Sequence, residues 1–364
     1  MIETIFYLLA FLFVLSLVVV IHEGGHFMMA RWCGVKVTDF SVGFGKELWV
    51  RVDKYGTRWK ICAVPMGGYV KMFGDEDAAS AKSSTKNVPA DQVQYTFMAQ
   101  PLWKRALIIF AGPAMNYISA ILLLAGILFF IGEVFMPPVV GQVMPDSAAE
   151  QAGLQEKDRI LSINAKPVDD YRDIVRAVQV TEFGKNLTLE VERAGETLSI
   201  MVKPKYDADS QMPKLGIMAG GLYEVRHESF GVFGALTRAS SIAYETTVDT
   251  LVYLGQVLFH NRSASDMRGP LGIAEASGDA ARGGLLSFLL FIVQISIAIG
   301  FMNLLPVPVL DGGHLAFYAI EAVRGKPLSE KVQNAFLWTG IILLISLMIF
   351  TLFLDVPRII ERIF

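Results

Sequence analysis

Long apolar runs occur at four places in this chain of 364 residues, at 5–29, 106–132, 285–310 and 335–354. Each is long enough to cross, as a helix, a hydrocarbon core about 30 Å thick. Four crossings put both termini on one side. The stretch between the first two runs holds twelve lysines and arginines, from Arg31 to Arg105, and the short one after the third holds Arg324, Lys326 and Lys331. The bias of basic residues toward the cytoplasm predicts that these two connections are cytoplasmic. The termini and the long segment between the second and third runs then face outside.

From 139 to 219 the runs give way to short alternations. They predict a strand at 139–144, a short helix at 147–153, a strand at 159–163, a helix at 171–178, and a hairpin of 187–191 with 198–202 that turns at Ala194-Gly195. This is a small β-rich domain with two helices. Residues 229–259 are moderately apolar but contain Arg238, Glu245 and Asp249, and the pattern leaves open surface-lying amphipathic helices or a fifth span.

The chemistry sits at the end of the first run, in His22-Glu23-Gly24-Gly25-His26. On a helix the two histidines are one turn apart and share a face, so both imidazoles can bind one metal while Glu23 stands beside the attacking water. Ionisable residues in a membrane helix cost roughly 2.5–3.5 kcal/mol each on insertion scales, which points to function. The third run ends in Asn303-Leu304-Leu305-Pro306-Val307-Pro308-Val309-Leu310-Asp311-Gly312-Gly313-His314. Its prolines break the helix, and Asp311 is expected in an unwound segment lining a cavity. His22, His26 and Asp311 make a His₂Asp zinc sphere with a fourth position open, the catalytic arrangement. Depth agrees: if the first and third runs enter from the same side, His22 and Asp311 arrive at comparable depth, roughly 25 Å along each helix. That geometry requires 229–259 not to span.

Composition narrows the classes further. With 53% hydrophobic and 18% charged residues, and a net charge of -3 from 32 basic and 35 acidic side chains, nucleic acid is not an expected partner. Cys33 and Cys62 lie in the segment placed in the reducing cytoplasm, so no disulfide is expected, and a buried or interfacial role outweighs metal ligation. The first run follows Glu3 and no basic residue, and is followed by His-Glu rather than a small-residue cleavage site; it is expected to be retained rather than cleaved.

Taken together, the zinc motif, Gly43-Phe44-Gly45, Met66-Gly67-Gly68-Tyr69-Val70, Gly112-Pro113 with Asn116, and the Asn303–Gly313 motif resemble the site-2 protease family of intramembrane zinc metalloproteases, of the bacterial RseP type, over nearly the whole chain. The run from Ala152 to Asn164 resembles the PDZ domains attached to bacterial proteases. The implied fold is a polytopic α-helical membrane protein with four transmembrane helices, a membrane-associated β-hairpin region and an extracytoplasmic PDZ (α+β) domain. Its division is 1–33 (first transmembrane helix), 34–105 (cytoplasmic and re-entrant β region), 106–135 (second helix), 136–223 (PDZ), 224–284 (membrane-surface amphipathic helices), 285–323 (third transmembrane segment) and 324–364 (fourth helix and tail). The resemblance implies regulated intramembrane proteolysis with Zn2+ in the bacterial inner membrane. Glu23 is the general base, and single-pass membrane proteins, of the anti-sigma-factor or remnant signal-peptide type, are the substrates. A hairpin over 58–71 dips into the bilayer and pairs with unwound substrate through Met66, Gly67, Gly68 and Tyr69, with Asn303 and Asn116 also toward substrate. Asn303 could instead hold the helix break in shape.

This sequence departs from the family's pattern twice. Gly24-Gly25 replaces a bulkier residue in the motif, which either admits a close neighbour or loosens the site, and there is room for one PDZ where better-known RseP proteins carry two. That PDZ could bind a peptide at its sheet edge or act as a spacer that, with the helices after it, excludes bulky ectodomains. Two other classes compete less well: a transporter, disfavoured by the lack of internal repeats, and an inactive receptor, disfavoured by Glu23.

Topology is testable directly. Single cysteines at Asn261 and within 139–219 should label together with a membrane-impermeant thiol reagent on intact cells. Labelling of one region without the other would mean a fifth span and would separate Asp311 from the histidines.

Overall fold

The computed structural model describes residues 2–74, 88–133, 136–181, 184–206, 213–220, 230–259 and 269–363. In chain order the elements are α1 (Ile2–Trp32), β1 (Val37–Val52), β2 (Arg58–Met72), α2 (Leu102–Phe130), β3 (Val140–Val143), α3 (Ala148–Gln151), β4 (Arg159–Ile163), β5 (Lys166–Pro167) and α4 (Tyr171–Gln179). They continue with β6 (Leu187–Arg193), β7 (Glu196–Val202), β8 (Lys205–Tyr206), β9 (Pro213–Lys214), β10 (Ile217–Ala219), α5 (Val232–Phe259), α6 (Pro270–Arg282), α7 (Leu285–Leu304), α8 (Asp311–Arg324) and α9 (Glu330–Ile363). The chain divides into two compact units, one of Met1–Leu124 with Arg268–Phe364 and one of Ala125–Met267.

In the first unit, α1, α2, α7 and α9 contain the four helical stretches, among the described residues, long and apolar enough to cross a membrane. Contacts between α1 and α7 rise together along both helices: Phe13 stacks on Phe288, and Val14 and Val18 share a buried cluster with Ile292. The two helices therefore run in the same direction, as a shared metal site requires. Helix α6 is fastened to the start of α1, where Tyr7 donates to Asp279 (2.6 Å), Arg282 pairs with Glu3, and Gly278 leaves room for the Tyr7 ring. Its N-terminus is held by Asp355 of α9. This carboxylate, 1% exposed, accepts from the Gly269 and Gly272 amides at 3.1 and 3.0 Å. Free N–H groups at a helix start stabilise an anion there.

The hairpin expected over 58–71 is instead one bent strand, β2, whose two halves pair with β1 and not with each other. Residues 39 to 42 of β1 pair twice, with 71 down to 68 on one side and with 58 up to 61 on the other, while 47–52 pair back with 62–58. Two long strands thereby make a sheet four segments wide. Gly43 makes the bend at positive φ, and a Cβ there would come 2.6 Å from the Val64 carbonyl. The sheet packs on α1 through Phe27, Phe40, Val70 and Met72, joined by the buried free thiol Cys33. Ser16, which interrupts the first apolar run, donates to the Pro65 carbonyl at 3.1 Å and pins β2 along α1.

In the second unit β5-β4-β6-β7 form a sheet and β10 pairs with β3, which meets β4 at a Val139–Arg159 bridge. Leu187, Leu189 and Val191 alternate inward on β6 and share a core with Val140, Ile160 and Ile174. The expected elements appear with ends shifted by few residues, and the hairpin turns at Ala194 and Gly195, both at positive φ. A capping box of Asp170 and Asp173 starts α4. Residues 232–259 form one helix rather than several, and it is not among the candidate spans. Its charges are met within the unit: Arg238 bonds Glu133 at 2.8 Å, and Arg176 of α4 bonds Glu245 and Asp249 at 2.9 and 2.7 Å. Asn261, the topology marker, lies outside the described residues.

Asp158 has no exposed side-chain surface and accepts two bonds of 2.7 Å from Arg193. Burial alone raises its pKa, but the guanidinium and the Gln155 amide outweigh it and hold the carboxyl below its ordinary value. The stabilisation is therefore complete above the ordinary carboxylate range near pH 4 and fades as pH falls below it. Asp158→Ala should weaken this unit by roughly 1.5–3 kcal/mol, because the two bonds from the part-exposed Arg193 and the one from the Gln155 amide are lost together. Hydrogen exchange on the full chain should show β4 and β6 opening more often, with α1 and α2 unchanged.

Candidate metal centre

His22 and His26 lie one turn apart on α1, 8% and 7% exposed, with rings edge to face. Their Nε2 atoms are 3.2 Å apart. Asp311 arrives from the far side of the proline break, and its Oδ2 is 3.1 Å from His22 Nε2 and 3.5 Å from His26 Nε2. The break differs from expectation in one respect. Asp311 is not in the unwound stretch but is the first residue of α8, after Val309 at positive φ. Gly312 and Gly313 let this helix start press against the end of α7: a Cβ on either would come 2.2 or 2.5 Å from a carbonyl of Leu305 or Val307.

The donor set fits a tetrahedral zinc ion. Ligands about 2.0–2.1 Å from such a metal lie roughly 3.3 Å from one another, and the three separations here are 3.1, 3.2 and 3.5 Å. Asp311 Oδ2 is buried with no hydrogen bond to satisfy it. Acceptor atoms converging in a buried place repel unless a cation joins them. His26 is in the right tautomer: its Nδ1 donates to the Ile108 carbonyl of α2 (2.9 Å), which leaves the Nε2 lone pair toward the other two.

Two glycines set how closely α1 and α2 approach. A Cβ on Gly25 would fall 2.2 Å from the Ala111 carbonyl, and one on Gly112 would fall 2.3 Å from His26 Nε2 and 3.0 Å from His22 Cε1. Of the two readings of the glycine pair, admission of a close neighbour is the one the geometry supports, and it applies to Gly25 alone. Gly24 has nothing within 4 Å of such a Cβ. The part played by Gly112 was missed. The signal was its spacing from Asn116, one helical turn, which puts both on the face of α2 that meets the histidines.

Glu23 is half-buried beside β2, where a Cβ on Gly68 would lie 3.6 Å from Glu23 Cγ. Gly67, at positive φ, faces the Phe44 ring, which stacks on Tyr69 at 6.0 Å. The Met66 side chain lies outside the described residues. Asn303 donates to the Ile299 carbonyl on its own helix (3.1 Å), the bond that holds the end of α7 in shape. Asn116 is fully buried, with its amide 3.3 Å from His22 Nδ1, behind the histidine rather than on an open side.

Residues 10–347 match the model of peptidase family M50. The chain belongs to that family. It is a metalloprotease, and zinc is the metal. A protein of Rhizobium meliloti (strain 1021), whose name proposes a zinc metalloprotease, is 39% identical over 95% of each chain. One from Agrobacterium fabrum with the same kind of name is 38% identical over 97% of this chain and 96% of its own. The regulator of sigma E protease of Haemophilus influenzae is 30% identical over 96% of this chain and 98% of its own. That alignment runs to 444 positions against the 364 residues here, leaving at least 80 without a counterpart. Among solved structures, the PDZ domain of an SdrC-like protein from Listeria innocua matches 24% of this chain and 97% of its own, at 17% identity and a TM-score of 0.22.

Glycine substitutions should separate packing from ligation. Gly25→Ala and Gly112→Val should lower the zinc content of purified protein well below one per chain, because each drives an atom into α2 or a ligand ring. Gly24→Ala should keep its zinc and raise helix stability by about 1 kcal/mol. Elemental analysis with thermal melts reads both.

Proposed function

We propose that this chain is an intramembrane protease that cleaves within transmembrane segments of single-pass membrane proteins, with His22, His26 and Asp311 as zinc ligands and Glu23 as base. The observation that carries the reading is the meeting of those three ligand atoms, two from the apolar helix α1 and one from the start of α8 just after the apolar helix α7, beside a glutamate and a strand edge. Zinc bound there supplies a Lewis acid and brings the pKa of water toward about 7. The Glu23 carboxylate accepts the proton of the attacking water and passes it to the leaving amine.

A transmembrane helix keeps its carbonyls in hydrogen bonds, so its substrate segment must unwind before attack. Residues Gly67 to Val70 offer an extended backbone next to Glu23, along which an unwound segment adds as a strand. Leu48, Trp49, Val52 and Ile61 are exposed on this sheet, as suits a hairpin that enters lipid. Two of its basic side chains are compensated within it: Lys60 lies 2.5 Å from Asp39 and 3.0 Å from Glu47, and Arg58 lies 3.0 Å from Glu47. Asn303, held by Ile299, keeps its side-chain oxygen for a substrate amide.

We place the chain in a bacterial inner membrane as four spans, with both termini and the β-rich unit outside. Domain limits follow the sequence division, with the unit over 136–223 read as a PDZ and α5 on the membrane surface. Phe233, Tyr244, Leu251 and Leu258 project from one exposed stripe of α5, while its charges are bonded on another face. Anti-sigma factors and remnant signal peptides, the types that the family resemblance implies, are the substrates proposed.

Glu23→Gln should keep one zinc per chain yet lose cleavage of a single-pass test helix by about 10²–10⁴-fold, since only the base is removed. Metal analysis and mass spectrometry of products on one sample decide it. Cleavage at the wild-type rate would remove Glu23 from the mechanism.

A further inference from the structure

Asn116 of α2 has no exposed surface, and α7 closes over it: Ser296 donates to its backbone carbonyl at 3.0 Å, and a Cβ on Gly300 would come 3.1 Å from its own Cβ. Its side-chain amide lies 3.3 Å from His22 Nδ1. With the amide nitrogen toward that ring, Nδ1 is the acceptor, the ring proton moves to Nε2, and Nε2 has no lone pair for a cation. Asn116 Oδ1 is then left buried without a partner. Both defects vanish together when the amide oxygen faces the ring, because the two ends of an amide occupy the same space. His22 Nδ1–H then donates to Oδ1, and the Nε2 lone pair points to His26 and Asp311.

We propose that Asn116 is a positioning residue that fixes the tautomer of His22 by accepting its Nδ1–H, the counterpart of the Ile108 carbonyl at His26. This rests on the reading of His22 as a zinc ligand. The site then has one fixed acceptor behind each imidazole, a backbone carbonyl for His26 and a side-chain oxygen for His22. Such partners govern metal affinity by about 10–100-fold.

The test is zinc affinity, measured on the purified full chain by competition with a chelator at neutral pH, for wild type, His22→Ala, Asn116→Asp and Asn116→Leu. Aspartate keeps an acceptor and leucine keeps only the bulk. The expected result is that Asn116→Leu loses about 10–100-fold in affinity while Asn116→Asp stays near wild type. Should the leucine variant fail to accumulate, Asn116→Ala takes its place under the same criterion. Wild-type affinity in the leucine or alanine variant would reduce Asn116 to packing and overturn the proposal. Equal loss in the aspartate and leucine variants would make the amide a donor and overturn it as well. Zinc bound as tightly by His22→Ala as by wild type would instead remove His22 from the ligand set, and the inference with it.

Discussion

Two imidazole nitrogens and a carboxylate oxygen, none more than 3.5 Å from the others, face one another in a buried place among apolar helices. Without a cation this costs energy three times over, in desolvation, in mutual repulsion and in an unsatisfied oxygen. Much of the surrounding architecture is what it takes to hold that arrangement. Helices α1 and α7 must run the same way for the ligands to reach one depth, and the chain after α7 must break and restart as α8 so that Asp311 turns back toward α1. The anionic side chain then lies at a helix N-terminus, where the backbone favours negative charge.

Close approach is the second condition, and glycine supplies it. At Gly25 and Gly112 a single methyl group would strike backbone or an imidazole, and at Gly312 and Gly313 it would strike carbonyls of the proline segment. Glycine in a helix costs about 1 kcal/mol relative to alanine, so the helices give up some intrinsic stability for proximity. The salt bridge between Arg105 of α2 and Glu321 of α8, 2.6 Å long and largely buried, ties the helix that supports the histidines to the one that carries Asp311. The Ser16–Pro65 bond and the packing of Phe40 and Val70 on α1 fix β2 beside Glu23.

The parts of this arrangement that were legible in sequence are those that a single physical effect decides. Hydrophobic length marked the four helices, and alternation marked β3, β4, β6 and β7, because burial of apolar surface settles both. That His22, His26 and Asp311 would meet was readable because few side chains bind zinc and ionisable groups are costly among apolar helices. The double pairing of 39–42 was not readable: register between distant segments depends on bends at Gly43 and Gly67 that the alternation does not encode. Nor was the restart of α8 at Asp311, since prolines announce where a helix stops and not where the next begins. Asn116 was placed toward substrate from its motif alone. Its position behind His22 depends on the crossing of α1 and α2, a tertiary fact, although its spacing from Gly112 carried a trace of it.

The central claim is that the metal is held by nitrogen and oxygen alone, from His22, His26 and Asp311, and the most direct measurement is X-ray absorption at the zinc edge on purified protein. The account predicts a first shell of nitrogen and oxygen at about 2.0–2.1 Å, with the outer-shell signature of two imidazoles. A sulfur at about 2.3 Å would bring Cys33 or Cys62 into the coordination sphere and contradict the account, as would a spectrum showing fewer than two histidines.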